Sequence, residues 1–297
     1  MVDFTIVISR AHPATPATSR IEDDLAARAS MSGQMVIVMP HVYHLSPGAP
    51  CLSALRRIEG PLTIFSWLHP RAAFWILSKL GIRGTRGPDT GASGKGRPIH
   101  CFRLNETASA DELLGEALAT SKLRSPGHPA AQLSTGTVSR FEDELKERWY
   151  PVIDYERCTN CLECLEFCLF GVYDRNAEGR IDVANPAACK PGCPACSRVC
   201  PSQAIVFPLY EEDPAIAGSD DGTIRPFDPS AVARLREAYE RGTATIGDVV
   251  KACACKDRPC DRPEQPDACD CDCDCECKNP PSKGDDFDQL IDRLVKE

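Results

Sequence analysis

Short apolar runs alternate with amphipathic stretches through the first 120 residues. Residues 2–8 (VDFTIVI), 35–39 (MVIVM), 61–68 (PLTIFSWL) and 98–104 are apolar or β-branched runs of strand length. Between them, residues 21–29, 51–58, 71–80 and 110–120 repeat apolar positions at helical spacing. Ser19 and Ser109 stand where helix caps are expected, and Gly81 where the third helix should stop. Continuous apolar strands that alternate with helices predict an α/β domain over 1–120, with a parallel sheet of about four strands covered on both faces.

Beyond residue 120 the pattern changes. Residues 121–140 are rich in Ser, Pro, Gly and Thr and read as a linker, with a short helix expected over 141–148. The segment 141–210 forms a second unit, and 211–252 reads as loop plus a helix at 230–239. Residues 253–284 are a low-complexity Cys/Asp-rich tail, and 285–297 a short amphipathic helix. The glycine-rich stretch 84–98 is no phosphate loop. Asp89 stands where a Walker loop needs Gly, Gly96 where it needs Ser or Thr, and the stretch leads into a strand. It is expected to be a flexible loop.

Composition narrows the function classes. A length of 297 residues suggests about two domains, and 42% hydrophobic content supports globular cores. The net charge of −9 argues against nucleic acid as the main partner and favours basic protein surfaces. The apolar run 61–82 is broken by His69, Pro70, Arg71 and Lys79, so no membrane span is expected. No signal-peptide pattern opens the sequence, and a cytoplasmic protein is expected.

Cysteine use is the outlier: of 18 cysteines, all but Cys51 and Cys101 lie from Cys158 onward. In a reducing compartment such a set suits metal rather than disulfides. Cys158, Cys161, Cys164 and Cys168 form one run, and Cys189, Cys193, Cys196 and Cys200, followed by Pro201, form another. Zinc also accepts four thiolates and is the alternative, but its knuckles typically pair two CxxC elements and do not usually show triplets with a fourth Cys before Pro. The flanks WYPVI, GVYD, RIDV and AIVF read as strands, which suggests a duplicated βαβ–βαβ order.

Residues 148–210 resemble the bacterial two-cluster 2[4Fe-4S] ferredoxins. The resemblance implies an α+β fold with two [4Fe-4S] clusters, the last cysteine of each run serving the other cluster. Cluster 1 would take Cys158, Cys161, Cys164 and Cys200, and cluster 2 Cys189, Cys193, Cys196 and Cys168. Two positions depart from the family: Leu169 replaces the Pro after Cys168, and Lys190, Pro191 and Gly192 make the first gap of the second run one residue longer.

Two further groups carry candidate chemistry. Cys253, Cys255, Cys260, Cys269, Cys271, Cys273, Cys275 and Cys277 alternate with acids, a spacing that suits soft ions such as Zn²⁺ or Cu(I) or else a plain acidic tail. His12, His41, His44 and His69 each follow a predicted strand, where parallel sheets open their ligand crevice. They are candidates for a metal or tetrapyrrole site, or for ordinary exposed loop histidines. No nucleotide fingerprint, nucleophile elbow or acid–base pair is evident. The expected function is electron transfer to or from a redox protein partner, with no catalytic residue of its own. The alternatives are an oxidoreductase whose α/β domain receives electrons from the clusters, and a metal-handling protein with redox sensing.

Overall fold

The computed structural model describes residues 4–87, 96–107, 109–122, 136–224 and 241. Its N-terminal layer is a six-stranded sheet: β1 (Thr5–Ser9), β2 (Met35–Met39), β3 (Leu62–Ser66), β4 (Thr85–Arg86), β5 (Pro98–Arg103) and β6 (Val138–Arg140). The spatial order is β4-β5-β3-β1-β2-β6, and every pairing is parallel. The helices are α1 (Pro16–Met31), α2 (Pro50–Arg57), α3 (Pro70–Lys79) and α4 (Ala110–Lys122).

Alternation along the strands sorts the core into two layers. Ile6 and Ile8 of β1 pack with Leu25, Ala26 and Ala29 of α1 and Leu113, Leu114 and Ala117 of α4. Val7, Ile37, Ile64 and Ile99 face the other way, onto Leu52, Leu55, Ala73 and Leu77 of α2 and α3. Period-two side-chain direction is what lets one strand serve both layers. Because β1 is flanked by β2 and β3, successive connections leave it in opposite directions, and the β1/β3 boundary is the sheet's switch point.

Several elements differ from the sequence expectations. Helix α1 starts at Pro16 rather than near residue 21, because Thr15 and Thr18 close a capping box and Pro16 presets the first turn. Strands β4 and β6 bring the sheet to six. The expected linker ends in β6, which pairs Val138 to Arg140 with Val36 to Val38. No helix forms over 141–148. That segment runs extended, with Phe141 N–H donating to the Val38 carbonyl at 2.9 Å and Phe141 and Leu145 packed on the α2/α3 core. Burial of two apolar side chains outweighs a short helix that would be marginal alone. Part of the glycine-rich stretch, Thr85–Arg86, is strand. The helices expected at 230–239 and 285–297 lie outside the described residues.

The second layer consists of short elements: β7 (Val152–Ile153), α5 (Glu163–Phe167), β8 (Asp174–Arg175), β9 (Ile181–Asp182), α6 (Ala195–Val199), β10 (Ile205–Val206) and α7 (Pro214–Ala217). β7 pairs with β10 and β8 with β9, both antiparallel. Helix α3 holds this layer against the sheet through residues four apart, which share one helix face. Arg71, 1% exposed, donates to the carbonyls of Gln203 and Ala215 at 3.1 Å each and meets Asp154, 0% exposed, at 3.5 Å. Trp75 meets the Tyr155 ring edge-on at 5.8 Å, and Lys79 donates to the Val183 carbonyl at 3.0 Å. Tyr150, Val152 and Val206 complete the α2/α3 core.

Candidate metal centres

The first cysteine run wraps a turn built on buried Asp154. Its carbonyl accepts from Cys158 N–H at 2.9 Å, and its carboxylate accepts from the N–H groups of Glu156 and Arg157. Asn160 and Leu162 then adopt left-handed backbone, φ 59° and 69°. For Leu this is uncommon and costs on the order of 1–2 kcal/mol. The Asn160 side chain anchors the turn by accepting from Ile181 N–H at 2.8 Å and donating to the Gly179 carbonyl at 3.2 Å. In the second run, the longer first gap places Gly192 at φ 79°, a conformation glycine takes without strain.

These turns bring the cysteines together across the two runs. Cys158, Cys161, Cys164 and Cys200 line one pocket of about 320 Å³, its open mouth included, walled by Ile153, Leu162, Ile181, Ala204 and Ile205. Burial pushes the Cys164 thiol up to about 12, and Cys200, Cys161 and Cys158 add to the shift. In the second group burial raises Cys196, with further contributions from Cys193, Cys189 and Cys168, and Cys189 is pushed up to about 12 by burial, Cys193 and Cys168. Four thiols in an apolar pocket resist ionising together, so the donor set fits a multiply charged iron–sulfur core that compensates their negative charge. Among the described residues, no three His, Cys, Asp or Glu side chains stand where they could hold a single metal ion.

Hydrogen bonds to sulfur single out residues that spacing could not reveal. Tyr173, 4% exposed, donates its hydroxyl to Cys196 Sγ at 3.0 Å. Its own raised pKa reflects burial first, then Cys196, Cys164 and Cys168, so it stands between the two groups. Ala204 N–H donates to Cys200 Sγ at 3.3 Å. The only sequence signal for Tyr173 was its place in a strand-like flank.

The two groups meet different surroundings. Cys161 is exposed, whereas Cys189 packs against both cores and adds to the raised pKa of buried Tyr43. Tyr43 stacks on Tyr150 at 4.4 Å, and the pair exchange bonds: Tyr43 donates to the Tyr150 carbonyl at 2.7 Å and Tyr150 to the Tyr43 carbonyl at 2.9 Å.

Of the four crevice histidines, three come together. His12 and His41 each lie 5.0 Å from His44, between ring centroids. Burial, then His44 and His12, lowers His41 to about 3, so it is neutral at physiological pH. His69 instead meets Arg103, with Nη1 2.9 Å from its Nε2. Glu22, missed in the sequence, ties the loops after β1 and β3 by accepting from Ala11 N–H at 2.7 Å and Trp67 Nε1 at 2.8 Å. The tail cysteines Cys253 to Cys277 lie outside the described residues.

Over 73 residues the chain is 49% identical to an uncharacterized ferredoxin of Methanocaldococcus jannaschii, a match that covers 23% of this chain and 49% of that protein. The chain thus spans about half the length of the relative it matches. No family model and no solved structure matches the chain. The likeness supports a ferredoxin-like domain in a small part of the chain. No helix among the described residues is long and apolar enough to cross a membrane.

Proposed function

We propose that the chain carries two [4Fe-4S] clusters and passes single electrons between a redox protein and its own α/β domain. Cys158, Cys161, Cys164 and Cys200 hold cluster 1, and Cys189, Cys193, Cys196 and Cys168 hold cluster 2. The supporting observation is the exchange of fourth cysteines: Cys200 groups with the first run and Cys168 with the second. Each cluster supplies a one-electron couple. The protein's part is to bury the clusters, hold them adjacent and place N–H and O–H donors on their sulfurs, which favours the more negative, reduced state.

A redox partner has access where Cys161 is exposed, beside exposed Glu163 and Glu166. This acidic rim suits a basic partner face. The oxidoreductase reading has its own support in the position of Cys189, which touches the α/β core beside Tyr43 and next to the sheet's carboxyl edge, where parallel sheets bind ligands.

The test is metal analysis of anaerobically purified protein. About eight irons with matching sulfide per chain are expected. Zinc without sulfide would mean that the cysteines are structural zinc ligands.

A further inference from the structure

The α/β layer holds a second gathering of metal-binding groups, apart from the eight cysteines. His12 follows β1, and His41 and His44 follow β2, where Val42 N–H donating to Ser9 Oγ at 2.9 Å ties the two strand ends together. The ring centroids of His12 and His44 are 5.0 Å apart at 65°, and those of His41 and His44 are 5.0 Å apart at 42°, so neither pair stacks face to face. Two imidazoles on one tetrahedral ion, with metal–nitrogen bonds of about 2.0–2.1 Å, hold their ring centroids roughly 5 Å apart. His41 is 3% exposed, and its Nδ1 has no hydrogen-bond partner. A buried ring nitrogen with no partner calls for an explanation, and a ligand is one. His12 is only half-buried and stands at the mouth.

We propose that His12, His41 and His44 bind one borderline divalent cation of the Zn²⁺, Co²⁺ and Ni²⁺ class. Neutral imidazole suits this class, and three nitrogens leave a position open for an exogenous ligand. The site stands on these side chains alone and is independent of the clusters. Binding requires the rings to turn inward, because the described residues do not already converge at single-ion distance.

His44 sets a condition. Its Nδ1 accepts from Arg148 N–H at 3.2 Å, which puts the ring proton on Nε2. Ligation through Nε2 takes the other tautomer and gives up that one long bond. The Lys146 carbonyl also faces the ring, beside the Arg148 N–H. Since 146–148 lead directly into the ferredoxin-like layer, the proposed ion sits on the α/β side, next to the core against which Cys189 packs.

The experiment uses the full chain with its iron and sulfide in place. It is equilibrated anaerobically with Zn²⁺ and desalted, zinc is counted beside iron, and the zinc environment is read by X-ray absorption. The double variant His12→Ala/His41→Ala should lose one zinc per chain and the nitrogen shell at about 2.0–2.1 Å, with iron unchanged. His69→Ala, which removes an imidazole outside the group, should keep both. Should the double variant also lose iron, His12→Ala alone must weaken zinc binding by about tenfold or more. Unchanged zinc and nitrogen scattering in the histidine variants, or a wild-type zinc shell of sulfur alone at about 2.3 Å, overturns the site.

Discussion

Cys161, in the outer cysteine group, is exposed, while Cys189, in the inner group, packs against the α/β core beside Tyr43. One duplicated motif has therefore produced two unlike ends. The outer group has one sulfur-bearing residue open to solvent. The inner group reaches the α/β core through Cys189. The contrast is one of position and not of ligand type, since both groups consist of four cysteines. It also separates this arrangement from a carrier on a loose tether: the buried Arg71 guanidinium, bonded to Asp154 and to the carbonyls of Gln203, Ala215 and Ser219, ties the second layer to α3.

The comparison is broken most severely by removing an exchanged ligand. Cys200→Ala should cost the outer cluster and Cys168→Ala the inner one, each leaving about four of eight irons, which anaerobic metal analysis would count. Loss of the same cluster from both variants would contradict the exchange. Next in size is Arg71→Met, which takes the buried guanidinium from Asp154 and leaves that carboxylate the N–H groups of Glu156 and Arg157 and the half-buried Arg157 guanidinium at 3.6 Å. Breaking a buried pair from one side costs about 3–5 kcal/mol, to be read as a lower denaturant midpoint of the cluster-loaded chain. An unchanged midpoint would mean that the two layers hold together without it.

A smaller change sharpens the contrast. Tyr173→Phe removes a donor from Cys196 Sγ and should lower the inner cluster's potential alone. A net hydrogen-bond worth of about 0.5–1.5 kcal/mol corresponds to about 20–60 mV for a one-electron couple. A redox titration that shifts the outer cluster instead would reassign the tyrosine. The least effect is expected from salt. Electron exchange with a basic donor at the Cys161 rim should slow severalfold as ionic strength rises through the physiological range. A salt-independent rate would remove Glu163 and Glu166 from the encounter.

Much of this was legible in the residues. Strands β2, β3 and β5 lie within the apolar runs that suggested them, and β1 overruns its own by Ser9, because a doubly covered parallel strand has to be apolar nearly throughout. Spacing alone suggested the eight cysteines as cluster ligands, a reading that the metal analysis tests. What could not be read depends on contacts distant in sequence. Arg71 looks like any charge in a first helical turn until Asp154, Gln203 and Ala215 close around it. Three residues of β6 are too few to show a period, and the run 141–148 is extended because of what it packs against. Four histidines after strands suggested a crevice, but strand order brings three together and turns His69 toward Arg103.

The central claim is that two four-iron clusters stand side by side, with Tyr173 between their ligands. Electron paramagnetic resonance of the fully reduced chain tests it most directly. Two adjacent paramagnetic clusters should give a broadened, spin-coupled spectrum that becomes a simple single-cluster signal in Cys200→Ala. An uncoupled single-cluster spectrum from the wild-type chain, with about four irons per polypeptide, would contradict the account.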